Sequence, residues 1–161
     1  MTIYTQTNPA WANRRIGNTN STMRGFGCLV TTVSNITGVH PTTVLAKARY
    51  VNDLFDWYSL KAATGWDFVE RVRQNQLGDF ASNRNNPNRQ KLINLSNQGN
   101  PDWKIKSGHG IALEVRTPGI LRHWVMVLEL VNGGYSVLDP LDGRIKFKPL
   151  TDVLGFGIIK K

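Results

Sequence analysis

One cysteine and three histidines are the residues of this chain best suited to nucleophilic chemistry. Cys28 follows Gly25-Phe26-Gly27 and opens a stretch with helical spacing of its apolar residues. The N-terminus of a helix, with its free N–H groups and positive dipole end, stabilises a thiolate, the attacking form of cysteine. Gly27 leaves space beside the sulfur for a scissile carbonyl. Cys28 is therefore a candidate nucleophile, and its alternative interpretation is a small buried apolar residue.

A cysteine nucleophile needs a general base, and the sequence favours His123 for that role. His123 precedes the apolar run 124–130, so a strand would hold its imidazole at the end of a sheet. His40 precedes a proline at a predicted helix start, and His109 lies between two glycines. The alternative for His123 is a core histidine with a satisfied ring N–H. The neighbouring cation Arg122 is expected to disfavour the imidazolium form.

A carboxylate would orient the imidazole through its other ring nitrogen, and Asp139 and Asp142 are the two candidates. If Asn132-Gly133 is a two-residue hairpin turn, Asp142 lies opposite His123, whereas Asp139 lies opposite Met126. Asp139 would then be about 10 Å from His123 along the strand. A β-bulge at the pair Gly133-Gly134, or strong strand twist, would close that gap. Either aspartate also suits a turn, so the sequence leaves the choice between them open.

Helical periodicity characterises the first half of the chain, where it positions the candidate nucleophile. Residues 28–36 place Leu29, Val33 and Ile36 on one stripe, which predicts a helix despite many β-branched residues, and Gly38 is a suitable stop. A second helix is predicted to start at Pro41, and a third over residues 66–74. Residues 78–99 are polar and predict a surface insertion with a short helix near its end.

Short alternating runs separated by Pro-Gly, Asn-Gly-Gly and Asp-Gly turns characterise the second half and predict an antiparallel sheet. Helices followed by such a sheet predict an α+β fold rather than an alternating parallel one. No linker composition separates the halves, so residues 1–161 are interpreted as one domain. The predicted strands are Ile111–Val115, Trp124–Val131, Tyr135–Leu138 and Ile145–Phe147.

Composition limits the classes of protein that the chain can represent. It has 161 residues, of which 40% are apolar and 19% charged, values typical of a globular domain with a core. A single cysteine excludes an internal disulfide. The net charge of +9 predicts attraction to polyanions. No transmembrane segment is predicted, and the first eleven residues lack the charged and apolar regions of a signal peptide.

Several segments together resemble the papain-like cysteine peptidases related to bacteriocin-processing peptidases, which also occur in bacteriophage lysins and virion-associated wall hydrolases. The order Gln, Cys, His, Asp along the chain agrees with that family. Residues 52–101 match none of its motifs, so substrate specificity cannot be transferred. The matching segments are Gln6–Trp11, Thr22–Thr31, Gly108–Val115, His123–Val127 and Tyr135–Pro140 with Gly143.

The resemblance implies a papain-like fold in which the cysteine helix packs on the C-terminal antiparallel sheet. It implies a triad with Cys28 as nucleophile, His123 as general base and Asp139 as the orienting group. It also implies that Gln6 donates to the oxyanion beside the backbone N–H of Cys28. Gly27 and Trp124, which adjoin the nucleophile and the base, are the expected substrate contacts. No metal or organic cofactor is implied.

The function that follows is a cysteine peptidase or amidase that hydrolyses amide bonds in bacterial peptidoglycan. A phage lysin or virion-associated enzyme fits this expectation, because lysis or virion delivery would replace a signal peptide. The expected location is the host cytoplasm before release, or the virion. Positive charge would retain such an enzyme on anionic wall polymers. The first alternative is a catalytically inactive structural virion protein of the same fold.

The second alternative is a basic module that binds nucleic acid. Seven basic residues between positions 71 and 106 stand against two acidic ones, and Trp103 is available for base stacking. This interpretation is less favoured, because no recognition motif accompanies the charge. The basic residues are Arg71, Arg73, Arg84, Arg89, Lys91, Lys104 and Lys106.

Overall fold

Helices of the N-terminal half pack on an antiparallel sheet formed mainly by the C-terminal half, which confirms the predicted α+β class. The structure is a computed structural model that describes residues 2–79, 83–96 and 107–161. Lys104, Lys106 and Trp103 of the basic segment lie outside the described residues. No helix in the described ranges combines the length and hydropathy needed to cross a bilayer.

The helix that carries the candidate nucleophile is α2, Cys28–Thr37, as the apolar spacing predicts. It ends at Gly38, whose φ of 76° is the left-handed conformation that favours glycine at a helix C-terminus. The helix predicted at Pro41 is α3, and the proline occupies its first turn. The remaining helices are α1 (Met23–Phe26), α3 (Pro41–Lys47), α4 (Leu60–Thr64), α5 (Gln74–Leu77) and α6 (Pro87–Ser96).

The helix predicted over residues 66–74 is wrong, because a strand, β3 (Asp67–Val72), occupies this segment. Phe68 is less exposed than Asp67 and Val69 on either side of it, the alternation of a strand. β3 pairs with the C-terminal strand β8 (Val153–Lys160), which the sequence analysis does not identify. The paired residues, such as Asp67 and Lys160, are far apart in the chain, so local periodicity does not indicate the pairing.

Six antiparallel strands form the main sheet, in the order β3-β8-β4-β5-β6-β7. All four strands predicted in the second half are present. A separate pair of two-residue strands, β1 (Tyr50–Val51) and β2 (Leu54–Phe55), lies between α3 and α4. The other strands are β4 (His109–Thr117), β5 (Ile120–Val131), β6 (Gly134–Leu138) and β7 (Ile145–Pro149).

Two apolar clusters pack on the sheet, because neighbouring residues of a strand point to opposite sides. Ile111 belongs to one cluster with Leu92 of α6. Ala112 belongs to the other, with Val33 of α2 and Val44 of α3. The prediction that residues 78–99 form a surface insertion is therefore wrong in part, because Leu92 of α6 is buried in the core. Residues 80–82 and 97–99 of that segment lie outside the described ranges.

Candidate active site

The pairing of β5 with β6 places the candidate base and carboxylate together. Next to the turn the register is the predicted one, with Val131 opposite Gly134. A β-bulge between Val127 and Glu129 then shifts the register by one residue, so that Met126 lies opposite Leu138. A shift of one residue exchanges the two sides of a strand. Without this shift, Asp139 would lie opposite Met126, and its side chain would point to the side of the sheet away from His123.

The shifted register, continued by one residue, brings Asp139 opposite Val125, whose side chain points to the same side of β5 as His123. His123 and Asp139 are then diagonal neighbours on adjacent strands. His123 Nε2 lies 2.7 Å from Asp139 Oδ1, and both side chains are buried. The expectation that Asp142 lies opposite His123 is wrong, and the bulge is the reason.

The Asp139 carboxylate accepts hydrogen bonds from three groups. Oδ1 accepts from His123 and from the backbone N–H of Leu141 at 2.9 Å, and Oδ2 accepts from Lys146 Nζ at 2.7 Å. Burial alone would raise the pKa of Asp139, but the hydrogen bonds from His123, Lys146 and Leu141 outweigh it and hold the pKa well below its ordinary value. Asp139 is therefore ionised at neutral pH.

His123 forms a side-chain hydrogen bond with Asp139 and lies close enough to Cys28 for the cysteine to influence its pKa. Burial lowers the pKa of His123, but the hydrogen bond to Asp139, the interaction with Cys28 and the negative charge of Asp139 raise it to about 9. The ring is therefore an imidazolium at neutral pH. Since Nε2 is bonded to the carboxylate, Nδ1 is the ring nitrogen left to face the sulfur. Cys28 itself is half-buried, so a small molecule can reach it.

Any effect of Arg122 on the imidazolium form is outweighed, since the interactions with Asp139 and Cys28 raise the pKa of His123. Arg122 and His123 are successive residues of β5 and so point to opposite sides of the strand. The guanidinium of Arg122 lies 3.8 Å from Glu114 Oε2, and this contact partly neutralises it. Adjacency in sequence therefore overstates the effect of this cation on the imidazole.

Gln6 connects the segment before Cys28 with the segment after Asp139. Its backbone N–H donates to the carbonyl of Pro140 at 2.8 Å, and its side-chain Nε2 donates to the carbonyl of Arg24 at 2.9 Å. The side chain is 3% exposed, and Oε1 has no hydrogen-bond partner among the described residues. A primary amide has two N–H bonds, so one donor of Nε2 remains. The role of Gln6 as an oxyanion donor stays a prediction.

The two expected substrate contacts, Gly27 and Trp124, have structural roles of their own. A Cβ atom on Gly27 would lie 2.5 Å from the backbone oxygen of Met23, so close packing on α1 requires glycine there. Trp124 is 9% exposed, and its ring packs against Trp57 and under the guanidinium of Arg71, 4.7 Å away. Substrate contact by Gly27 or Trp124 stays a prediction.

The sequence analysis did not identify Lys146 as a site residue. Lys146 lies on β7 opposite Val137, which places it diagonally next to Asp139 in the sheet. Its Nζ also lies 3.0 Å from Asp142 Oδ2. The only sequence signal was the i, i+4 spacing of Asp142 and Lys146, which is too common to indicate a site. Asp142 thus contacts the partner of Asp139 rather than the imidazole.

The described residues thus define an α+β protein in which a buried histidine contacts an ionised aspartate and a cysteine at the start of a helix. In the part of the chain that the structure describes, no group of three or more His, Cys, Asp or Glu side chains could hold a metal ion. The chain matches no protein-family model, and no curated protein matches it.

Proposed function

We propose that this protein is a cysteine-type peptidase or amidase with Cys28 as nucleophile, His123 as general acid and base, and Asp139 as the orienting group. The observation that supports the proposal is the position of the His123 ring, which bonds to the Asp139 carboxylate and lies close enough to Cys28 for the two groups to interact. A base held between a nucleophile and an orienting carboxylate is the arrangement that nucleophilic amide hydrolysis requires.

Acylation begins with attack of the Cys28 thiolate on the carbonyl carbon of an amide, which forms a C–S bond and moves an electron pair to the oxygen. The backbone N–H of Cys28 and the remaining N–H of Gln6 donate to this oxyanion. The imidazolium of His123 gives its proton to the amide nitrogen as the C–N bond breaks. The amine leaves, and the acyl group remains on the sulfur as a thioester.

Deacylation uses the imidazole that the first step leaves neutral. It accepts a proton from water while the water oxygen attacks the thioester carbonyl. When the C–S bond breaks, the carboxylic acid leaves, and the proton that His123 holds restores the imidazolium and thiolate pair. Throughout, the Asp139 carboxylate holds Nε2 and keeps Nδ1 directed at the reacting atoms.

For the substrate we propose amide bonds in bacterial peptidoglycan, with the enzyme acting as a phage lysin or a virion-associated hydrolase. Two observations support this choice: the resemblance of the motifs around residues 6, 28, 123 and 139, and the net charge of +9. A cationic enzyme is retained by the anionic polymers of bacterial walls. We also propose, as part of the same hypothesis, that the protein belongs to the papain-like cysteine peptidases related to bacteriocin-processing peptidases.

Digestion of purified cell walls, with mass spectrometry of the products, tests the proposal. Wild type is expected to release new amino and carboxyl ends in equal number, and Cys28→Ala is expected to release none. Thr37→Ala, at the opposite end of α2 and about 13 Å from Cys28, is the matched control and should retain activity. Equal digestion by wild type and Cys28→Ala would contradict the nucleophile assignment, and no digestion by wild type would contradict the proposed substrate.

A further inference from the structure

An arginine-rich cavity of about 670 Å³ lies beside the sheet. The arginines that line it come from four separate places: Arg73 precedes α5, Arg89 lies on α6, Arg116 lies on β4 and Arg122 lies on β5. Asp79 is the one acidic residue among the described residues of the lining. Polar groups without charge complete the wall, including the side chains of Gln74, Asn75 and Thr151.

The positive charge of this cavity is only partly neutralised. Neither Arg73 nor Arg116 has a carboxylate within ion-pair distance among the described residues. Both are exposed on the surface of the protein. Arg122 reaches Glu114 only at 3.8 Å, and the same carboxylate is shared with Arg71 at 3.2 Å. The cavity therefore has more cationic than anionic groups.

The pKa of Arg71, which lies next to the cavity, reflects the same excess of positive charge. Burial lowers the pKa of Arg71, and the attraction of Glu114 opposes that effect. The charges of Arg73 and Arg122 lower the pKa further, because like charges close together disfavour one another. An anion bound among these guanidinium groups would relieve this repulsion.

We propose that the cavity binds a small ligand that carries more than one phosphate group. A guanidinium group presents a planar pair of N–H donors that matches two phosphate oxygens. Several such groups around one volume suit a ligand with several negative charges. The volume is in the range of about 300–1,000 Å³ typical of small-molecule sites. Cys28, His123 and Asp139 are absent from the described lining, so this binding does not depend on the proposed peptidase activity.

Calorimetric titration with tripolyphosphate tests the proposal on the full chain. Arg73→Gln/Arg116→Gln removes two charges from the cavity wall without leaving a described carboxylate unpaired. We expect its dissociation constant for tripolyphosphate to be at least about tenfold higher than that of wild type. Arg14→Gln/Arg15→Gln is the matched control, since it removes the same charge from two exposed arginines outside the described lining. We expect the dissociation constant of this control for tripolyphosphate to differ from that of wild type by less than about twofold.

Four results would overturn the proposal. The first is that wild type binds no tripolyphosphate at millimolar concentration. The second is that the two double variants bind tripolyphosphate equally weakly, which would indicate long-range attraction only. Equal affinity for citrate would contradict the preference for phosphate. Tighter binding of a single-stranded oligonucleotide than of tripolyphosphate, lost in Arg73→Gln/Arg116→Gln, would contradict the small-ligand assignment. Thermal melts of both double variants establish that each is folded.

Discussion

At the scale of single residues, each of the three hydrogen bonds accepted by Asp139 has a separate consequence for the imidazole. The bond from His123 keeps the ring charged and fixes which nitrogen faces the sulfur. The bond from the Leu141 N–H fixes the carboxylate in the turn after β6. The bond from Lys146 favours the ionised carboxylate. Asp139 is therefore held as an anion in one orientation, which a group that orients a base requires.

Asp139→Ala should lower kcat/KM for wall hydrolysis by about a hundredfold, because the imidazolium loses its buried counter-ion and its fixed orientation. Asp142→Ala should lower it less than about tenfold, because Asp142 contacts Lys146 and not the ring. Steady-state release of amino groups from wall fragments measures both values. A larger loss in Asp142→Ala than in Asp139→Ala would reverse the assignment of the orienting group.

Lys146→Gln tests Lys146 as a positioning residue that acts through Asp139. Loss of the cation raises the pKa of the Asp139 carboxyl, so protonation should end activity at a higher pH than in wild type. The acid limb of the pH profile of kcat/KM should move upward, and Lys146→Arg should restore it in part. Lys148→Gln, on the same strand but bonded to Thr117, is the matched control. Equal acid limbs in wild type and Lys146→Gln would show that Lys146 has no influence on Asp139.

At the scale of elements, the sequence predicted α2 and the hairpin, but left open whether a β-bulge aligns His123 with Asp139. The helical stripe through Val33 and the turn at Asn132-Gly133 are local patterns, and both predictions are confirmed. The register shift after Val127 depends on pairing with β6, so no residue type marks it. The helix predicted over residues 66–74 fails for a similar reason, because β8 supplies the pairing that makes this segment a strand.

Gly27, at the junction of α1 and α2, provides a separate test of how the nucleophile is positioned. Gly27→Ala would place a Cβ atom 2.5 Å from the Met23 oxygen, so the start of α2 must move. We expect a loss of about 2 kcal/mol in the free energy of unfolding. We also expect activity to fall by more than about tenfold, because a small displacement misplaces the reacting sulfur.

Gly25→Ala is the matched control for this junction, since no atom lies within 4 Å of a Cβ atom added there. Denaturant unfolding and wall hydrolysis, measured on both variants, separate the two outcomes. If Gly27→Ala were as stable and active as Gly25→Ala, close packing on Met23 would not position Cys28.

At the scale of the whole molecule, the buried ion pair couples the stability of the fold to pH. The pKa of His123 is raised from 6.5 to about 9, so its contribution is complete below pH 6.5 and is lost as pH rises through 9. The pKa of Asp139 is lowered from 3.8, so its contribution is complete above that value and is lost as pH falls. Both contributions are complete only between pH 3.8 and 6.5.

The difference in unfolding free energy between wild type and Asp139→Asn should therefore be largest in that window and should shrink as pH rises through about 9. The amide preserves the shape of the side chain, removes the negative charge that holds the proton on His123, and replaces one acceptor oxygen by an NH2 donor. Denaturant titrations of both proteins from pH 4 to 10 measure this difference, and Asp142→Asn is a control for an exposed carboxylate. A difference that stays constant over this range would mean that His123 is not charged in the folded protein.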